Sequence, residues 1–323
     1  MRSRKFLFAA IIIGLLSLCL QGEIQAQMQG HTGKGAWGLQ SGSQMQEGFL
    51  IAPVWVNFGA DKIMNKDGEE IPNISGADRK LSVNALALFG WWVSPYKIFG
   101  ANYGVMTNLS MAESSVELAS LEFNNKFAFG DLYLQPVNLG WHYERFDITA
   151  SYGIYFPTGK YEADASYNTG KGMWSHELGA GATAYFDAAK NWHLSALAYF
   201  EMHSKKKDTD IKVGNILTVQ GGLGRSFYDG ALKVGAVYYM QWKVSPDKIG
   251  IDSDIPLLPD EITLDNKHRV YGLGPEVTVP IAKNDRLYAL ITARYHWELG
   301  ARSNLQGNVF NLFVQIPFFS ETK

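Results

Sequence analysis

Apolar and polar residues alternate along several stretches of this chain. From 145 to 156 the even positions are apolar or aromatic, whereas the odd positions include Arg145, Asp147 and Ser151. The same alternation recurs at 192–203, 232–243 and 287–298. Successive side chains of a β-strand point to opposite faces. Each stretch therefore predicts a strand with one apolar face and one polar face.

The length of these strands favours a membrane protein. Each is a little over ten residues long, about the length that crosses a bilayer at the tilt of a barrel strand, whereas strands of soluble domains are about half as long. Aromatic residues of the apolar face, such as Phe146, Phe156 and Trp192, lie near strand ends. A membrane interface collects aromatic residues at these positions. The pattern therefore favours a transmembrane barrel over a soluble sandwich.

The connections between the strands alternate between long and short. Twelve strands are predicted, at about 48–59, 80–94, 97–111, 129–143, 145–157, 172–186, 191–204, 214–227, 231–243, 267–281, 287–300 and 307–318. The odd-numbered connections tend to be long, and the even-numbered ones are tight turns. Bacterial outer-membrane barrels have an even strand number, short periplasmic turns and longer outer loops. We therefore predict an all-β fold, a transmembrane antiparallel β-barrel of about 12 strands over residues 48–319, with both termini periplasmic.

The first residues predict export. Three basic residues among the first five precede an apolar run from Phe6 to Leu20, and a polar stretch ends at Ala26. This is the layout of a secretory signal peptide, so we expect residues 1–26 to be removed. The apolar run is too short for a permanent anchor, and Leu18 stands before Cys19, where lipoprotein processing requires a small residue. The expected location is the cell outer membrane.

Residues 27–47 do not follow the strand pattern. They contain five glycines, several glutamines and Trp37. Two interpretations stay open. The stretch is either a flexible periplasmic segment that leads into the barrel, or a segment that folds into the barrel mouth as a hatch.

Net charge, cysteine content and the length of apolar runs indicate what this protein is not expected to bind or form. The formal net charge of the 323-residue chain is −2, which gives no reason to expect nucleic acid as a partner. Its one cysteine, Cys19, lies in the predicted signal peptide, so we expect no disulfide in the exported domain. No later stretch approaches roughly 18 uninterrupted apolar residues, so no transmembrane helix is predicted.

A set of short motifs is similar to those of a known outer-membrane family. The motif positions are Gly130, Asp131, Pro136, Pro157, Thr158, Gly159 and Trp174. Their arrangement resembles the family labelled as the putative meta-pathway of phenol degradation family. The resemblance implies an outer-membrane channel or uptake protein for small aromatic or other hydrophobic compounds. From the residues alone, 157–159 is typical of a turn that ends a strand and opens an outer loop.

The polar faces of the predicted strands would line the inside of the barrel. The candidate lumen-lining residues are Arg145, Asp147, Ser151, Glu177, His193, Glu201, Arg294, His296 and Glu298. They could be ion pairs that fill a narrow interior, or they could border a permeation path. Eight strands leave room only for side chains and sixteen or more make a wide channel, so about twelve strands suit a narrow path. Leu86, Leu88 and Met106, at positions expected to face the lumen, would give it a mixed lining.

An enzymatic role is not expected. His193 and Ser195 lie two residues apart, as in outer-membrane phospholipases, but on the polar face, whereas a lipid-cleaving site must face lipid. A hydroxyl nucleophile also needs a third group that orients its base, and none follows at an evident neighbouring position. His203 and His296 lack metal-ligand spacing, so we expect neither a metal nor a cofactor.

The sequence thus predicts a monomeric outer-membrane channel for uptake of small hydrophobic or aromatic compounds. The expected partners are outer-membrane lipid, the barrel assembly machinery and the small hydrophobic solute. The alternative is a plugged structural or surface-interaction barrel without transport.

Overall fold

The structure is a computed structural model that describes residues 29–71, 79–118, 121–163, 165, 168–228, 232–249, 267–284 and 286–319. The regular structure in these residues is all β. The strands are β1 (Gly48–Met64), β2 (Arg79–Ile98), β3 (Ala101–Leu118), β4 (Leu121–Phe129), β5 (Leu132–His142), β6 (Phe146–Phe156), β7 (Ser175–Tyr185), β8 (Trp192–His203), β9 (Ile211–Lys212), β10 (Ile216–Phe227), β11 (Leu232–Lys243), β12 (Lys248–Ile249), β13 (Arg269–Lys283), β14 (Arg286–Arg302) and β15 (Asn304–Phe319).

Antiparallel pairing closes the sheet into a barrel. β1 pairs with β15 from Gly48 opposite Phe319 to Met64 opposite Asn304, so no sheet edge remains between the first and last strands. β4 pairs with the second half of β3 and β5 with its first half, so β4 and β5 share one position in the wall. The barrel therefore has twelve strand positions, as predicted. β9 and β12 form a separate two-stranded sheet.

Two predicted outer loops are in fact continuations of strands. Residues 112–118 are the end of β3 and residues 121–128 belong to β4, and the two strands pair as far as Leu118 opposite Leu121. Residues 301–306 belong to β14 and β15, with Ser303 alone between the two strands. The alternation of apolar and polar residues fades there, but an antiparallel ladder joins backbone groups and can continue beyond the apolar stretch.

The barrel has two unlike ends. At the short-turn end β1 begins, β15 ends, and the connections 143–145 and 186–191 are brief. At the long-loop end lie the connections 157–174 and 204–215. This contrast is typical of outer-membrane barrels.

The outer face of the wall is apolar. Leu88, Leu194 and Leu273 are about half exposed, whereas inward residues such as Ser195 and Glu276 are buried. An apolar belt around a closed barrel is the surface that lipid covers. The fold is therefore a transmembrane β-barrel.

Among the described residues, no helix is long and apolar enough to cross a membrane.

Candidate functional site

Residues 29–47, which we call the lumen segment, run through the inside of the barrel. The Gln29 side chain donates to the Asn304 side chain at the long-loop end (3.2 Å). Toward the short-turn end, the Gln44 amide donates to the backbone and side-chain oxygens of Asn138, at 3.0 and 2.7 Å. The segment then enters β1 at Gly48. The chain itself therefore occupies the interior of the barrel.

Two cations tie the middle of the lumen segment to the wall. Lys34 Nζ lies 2.6 Å from Glu298 Oε1. Arg294 donates from Nη1 to two carbonyl oxygens of the lumen segment, at 2.8 and 2.9 Å. Its Nε lies 2.5 Å from Glu276 Oε2. Charge-assisted hydrogen bonds are stronger than neutral ones, so these contacts hold the segment firmly.

Two buried carboxylates hold the beginning of the segment. Glu201 of β8 accepts hydrogen bonds from the backbone N–H groups of His31 and Thr32, at 2.6 and 3.0 Å. The Thr32 hydroxyl lies 2.8 Å from Glu201 Oε2 and 2.6 Å from Glu177 Oε2. Tyr133 donates from its hydroxyl to the other oxygen of Glu177 (2.6 Å). Two carboxylates thus meet at one hydroxyl group.

The side chain of His31 projects from the lumen segment and contacts three parts of the wall. Its Nε2 is 2.8 Å from Asp131 Oδ2, and its Nδ1 is 2.8 Å from Ser175 Oγ. The ring stacks on Tyr155, with 4.5 Å between centroids. His203 Nδ1 lies 2.8 Å from the same Ser175 hydroxyl. Two imidazoles therefore converge on one side of Glu201.

Asp131 joins the lumen segment to the long loops. Its Oδ1 accepts the Gly159 N–H at 2.8 Å, and its Oδ2 accepts the Lys171 N–H at 2.7 Å. Thr158 Oγ1 accepts the N–H of Leu132 at 3.0 Å. The motif positions 130–131 and 157–159 are therefore in contact, and Asp131 also contacts His31.

The connection 204–215 lies over this region. Lys206 Nζ donates to the Lys171 carbonyl at 2.9 Å, and the ammonium lies 5.2 Å from the centre of the Tyr161 ring. Burial and the positive charge of Lys171 lower the pKa of Lys206 to about 7. The long-loop end therefore gains a buried positive charge as the pH falls through neutrality.

A cavity of about 290 Å³ lies between the lumen segment and the wall. Its wall side is formed mainly by β1, β2 and β3, with apolar side chains that include Val54, Ala87, Phe89 and Met106. Its other sides are formed by residues of the lumen segment, including Trp37, and by a polar group that includes Tyr133, Tyr155, Asp131 and Lys171. The barrel interior is therefore charged where it holds the segment and largely apolar where it leaves space.

The apolar side of the cavity differs from the prediction. Leu86 and Leu88, expected in the lumen, are 46% and 50% exposed on the outer face. Ala85, Ala87 and Phe89 take the inward positions instead. Both faces of β2 are apolar here, so alternation gave no contrast by which to choose the inward one. Met106, expected in the lumen, does line the cavity.

The lumen segment approaches the wall closely at four of its glycines, Gly30, Gly35, Gly38 and Gly42. A Cβ at Gly42 would contact the backbone of Ala182 in β7. A Cβ at Gly38 would contact the side chains of Glu276 and Arg294. Because glycine has no side chain, the segment can pack directly against the strands.

Eight of the nine candidate lumen-lining residues lie in the wall with inward side chains. Seven of them are buried: Asp147, Glu177, His193, Glu201, Arg294, His296 and Glu298. Ser151 is half-buried, and a Cβ at Gly179 of β7 would meet its Oγ. Asp147 accepts from the Tyr185 hydroxyl at 2.7 Å. Four of these residues bind the lumen segment: Glu177, Glu201, Arg294 and Glu298.

Arg145 is the exception. It lies in the turn 143–145 and is exposed, whereas the sequence placed it in the lumen. The alternation of β6 begins only at Phe146, because the turn at the short-turn end includes the residue before it. Arg145 therefore does not line the interior.

The remaining motif positions lie in the wall and at its rim. Gly130 is buried between β4 and β5, and its N–H donates to the Ser110 carbonyl at 2.8 Å. Pro136 lies at an irregularity of the β5–β6 pairing, and its carbonyl accepts the Tyr103 hydroxyl at 2.6 Å. Pro157 follows β6, and the exposed Trp174 packs edge-on against Phe156 at 5.0 Å.

His193 and Ser195 have separate hydrogen-bond partners. Ser195 Oγ contacts Ser41 Oγ and the Gly38 carbonyl, each at 3.2 Å. His193 Nδ1 lies 3.1 Å from the Asn191 carbonyl. Within the described residues, no hydrogen bond joins the histidine to the serine, so the pair is not arranged as a nucleophile and its base.

The family model described as "Putative MetA-pathway of phenol degradation" matches residues 60–312. The chain belongs to this family. The match begins inside β1 and ends inside β15, so it spans the barrel wall but not the lumen segment.

Solved structures resemble this member of the family in fold. An outer membrane channel from Pseudomonas putida F1 superposes with a TM-score of 0.70 at 15% identity, covering 89% of this chain and 100% of that chain. The β domain of the Bordetella autotransporter BrkA gives 0.46 at 13% identity, covering 84% and 100%. A Pseudomonas aeruginosa FadL homologue gives 0.41 at 10% identity, covering 90% and 99%. The first likeness places this fold among the outer-membrane barrels.

No curated protein matches this chain.

The sequence patterns missed the residues of the lumen segment. His31, Thr32, Lys34 and Gln44 all contact wall residues more than ninety positions away, as the separations of their partners show. A stretch that is held mainly by contacts with residues distant in the sequence has no regular pattern of its own. The one usable signal is its five glycines among polar residues, which suit close packing against a wall.

Proposed function

We propose that this protein is an outer-membrane channel for the uptake of small hydrophobic or aromatic compounds. The cavity between the lumen segment and the β1–β3 side of the wall carries this proposal. An apolar cavity of about 150 Å³ suffices for benzene, and this one measures about 290 Å³. Its apolar side would hold a ring, and its polar side would hold a hydroxyl group. The family description supports the same class of compound.

The orientation follows from the two unlike ends. Because short turns face the periplasm in such barrels, the short-turn end would be periplasmic and the long-loop end would face outward. The strand ends at Gly48 and Phe319 would then both be periplasmic. Residues 1–28 lie outside the described residues, and we propose that 1–26 are the cleaved signal peptide. The barrel would act as a monomer in outer-membrane lipid, inserted by the barrel assembly machinery.

The lumen segment would act as a hatch. With the segment in place, the charged wall residues are occupied by Lys34, His31 and Thr32. Passage of a solute along the barrel would therefore need part of the segment to move aside. The candidate lumen-lining residues would then border the path that opens. The protein would transport rather than catalyse.

Filling the cavity tests the uptake proposal. Ala87→Phe places a ring on the inward face of β2, and Leu88→Phe places the same ring on the outward face as a matched control. We expect Ala87→Phe to slow uptake of toluene or phenol into proteoliposomes, and Leu88→Phe to leave it at the wild-type rate. Equal rates in all three proteins would contradict the proposal.

The alternative is a plugged structural or surface-interaction barrel without transport. The many hydrogen bonds of the lumen segment favour it, because they hold the interior filled. Planar-bilayer recordings separate the two. If the protein is a channel, the wild type shows openings, and these become more frequent when residues 29–45 are deleted. If it is a structural barrel, solute uptake is the same with the wild type and with the deletion variant.

A further inference from the structure

Three buried side chains from distant parts of the sequence converge at the first turn of the lumen segment. They are His31 of the segment and Glu201 and His203 of β8, and their potential ligand atoms all lie within 4.8 Å of one another. His31 Nδ1 is 3.4 Å from Glu201 Oε1, and His203 Nδ1 is 3.5 Å from the same oxygen. We propose that this cluster binds a divalent transition metal ion, with Zn²⁺ as the best-suited ion, and that the ion locks the lumen segment in the barrel.

Two of the three separations between the candidate ligands fit a tetrahedral zinc site, those from Glu201 Oε1 to the two histidine nitrogens. Zinc binds histidine nitrogens and carboxylate oxygens at about 2.0–2.1 Å. Two ligands at the tetrahedral angle are then about 3.4 Å apart. The two nitrogen–oxygen separations measured here match that value. Two histidines and one glutamate are also a ligand set that zinc uses in proteins.

A second carboxylate orients His31. Asp131 Oδ2 lies 2.8 Å from His31 Nε2, on the side of the ring away from Glu201. Metal-binding histidines commonly donate their other ring N–H to a carboxylate, which leaves the first nitrogen unprotonated for the metal. Asp131 in turn accepts two backbone N–H groups of the long-loop end. The carboxylate that orients His31 is therefore itself held in place.

Ser175 stands beside both candidate histidine ligands, with its Oγ 2.8 Å from the Nδ1 atoms of His31 and His203. Each acceptor nitrogen has a single lone pair, so the hydroxyl would give up these two contacts when the metal binds. It could then hydrogen-bond a water molecule in the fourth coordination position. Glu201 can bind the metal while its hydrogen bonds to the lumen segment remain, because a carboxylate has about four lone-pair directions.

The charge balance also calls for a cation. Glu177 and Glu201 share the Thr32 hydroxyl, and Asp131 lies against the His31 ring. Buried charges are normally paired or bound to metals. Lys171 acts electrostatically on both Asp131 and Glu201 and supplies one positive charge. Lys206 also acts electrostatically on Asp131, and a divalent ion would add positive charge directly beside Glu201.

Metal binding can be measured without any transport assay. The full chain without a polyhistidine tag would be refolded in detergent, stripped with EDTA and titrated calorimetrically with ZnCl₂. We expect one saturable site per chain. Asp131→Asn, which removes the carboxylate that orients a ligand, should weaken zinc binding by about 10–100-fold. His31→Gln and His203→Gln, which remove a ligand, should each weaken it by more than roughly 100-fold.

His176→Gln is the matched control, because His176 is an exposed histidine on the outer face of β7. It should bind zinc like the wild type. Heat-dependent gel mobility would establish that each variant is folded. Absence of a saturable site in folded wild type, or equal affinity in folded His203→Gln and His176→Gln, would overturn the proposal.

The locking role rests on the hatch part of the proposed function and has its own measurement. Zinc should slow hydrogen exchange of backbone amides in residues 31–44 of the wild type but not of His203→Gln. Unchanged exchange at zinc saturation would refute the lock. Failure of solute uptake would refute the channel while leaving zinc binding and exchange unaffected, so the two proposals can fail separately.

Discussion

Arg294 holds two parts of the molecule together. Its Nε pairs with Glu276 of the neighbouring strand, and its Nη1 binds carbonyl oxygens of the lumen segment. Both charged side chains are buried, at 6% and 4% exposure. A buried pair of this kind contributes little net stability compared with an apolar replacement, but losing one partner leaves an uncompensated charge. The main effect on stability is therefore expected when one member of the pair is removed and the other stays buried without its partner.

A double-mutant cycle tests this dependence. Arg294→Gln alone should lower the free energy of unfolding by on the order of 3 kcal/mol, because Glu276 remains buried and unpaired. Arg294→Gln combined with Glu276→Gln should recover most of that loss. The measurement is urea unfolding in detergent micelles, followed by tryptophan fluorescence. Additive losses in the double variant would show that the two charges act independently.

Strands and the lumen segment differ in how far the sequence reveals them. β6 and β8 could be predicted closely, because a membrane on one side and a polar interior on the other impose strict alternation. The inward face of β2 could not, since Ala87 and Leu88 are both apolar and the interior there is itself apolar. The lumen segment has no regular hydrogen-bond ladder, and its position depends on contacts with distant strands.

Gly42 offers a direct test of how the lumen segment docks. A side chain there would contact the backbone of Ala182, which cannot move without disturbing β7. Overpacking of this kind costs about 1–3 kcal/mol, and each 1.4 kcal/mol lowers the ratio of docked to undocked segment roughly ten-fold. We therefore expect Gly42→Val to open more often in planar-bilayer recordings.

Gly33→Ala is the control, because a Cβ there would lie 3.3 Å from the Ala36 Cβ of the segment itself and is tolerated by a small shift. It should gate like the wild type. If Gly42→Val keeps the wild-type opening frequency, docking of the segment does not depend on this close approach.

At the scale of the whole molecule, the barrel wall faces lipid on its outside and the lumen segment and cavity on its inside. Its outer face is apolar all round, whereas its inner face is divided between charged groups that hold the lumen segment and apolar groups that line the cavity. The number of strands and the family could be predicted from the sequence. The alternation of apolar and polar residues, the alternation of long and short connections and the short motifs can all be read directly from it. The cavity did not, because it exists only where the lumen segment leaves space. Function in this barrel therefore depends on what fills it.

The outer face gives the most direct test of the membrane embedding. Ala198 lies near the middle of β8, between the inward Leu197 and Tyr199, and faces outward. Arginine at the mid-plane of a lipid-facing strand costs about 2–4 kcal/mol. Ala198→Arg should therefore lower the free energy of unfolding in phospholipid vesicles by that amount, whereas Ala198→Leu should leave it close to the wild type. A loss equally small in both variants would mean that this face of β8 does not meet the bilayer core, because water around Ala198 would solvate the guanidinium without penalty.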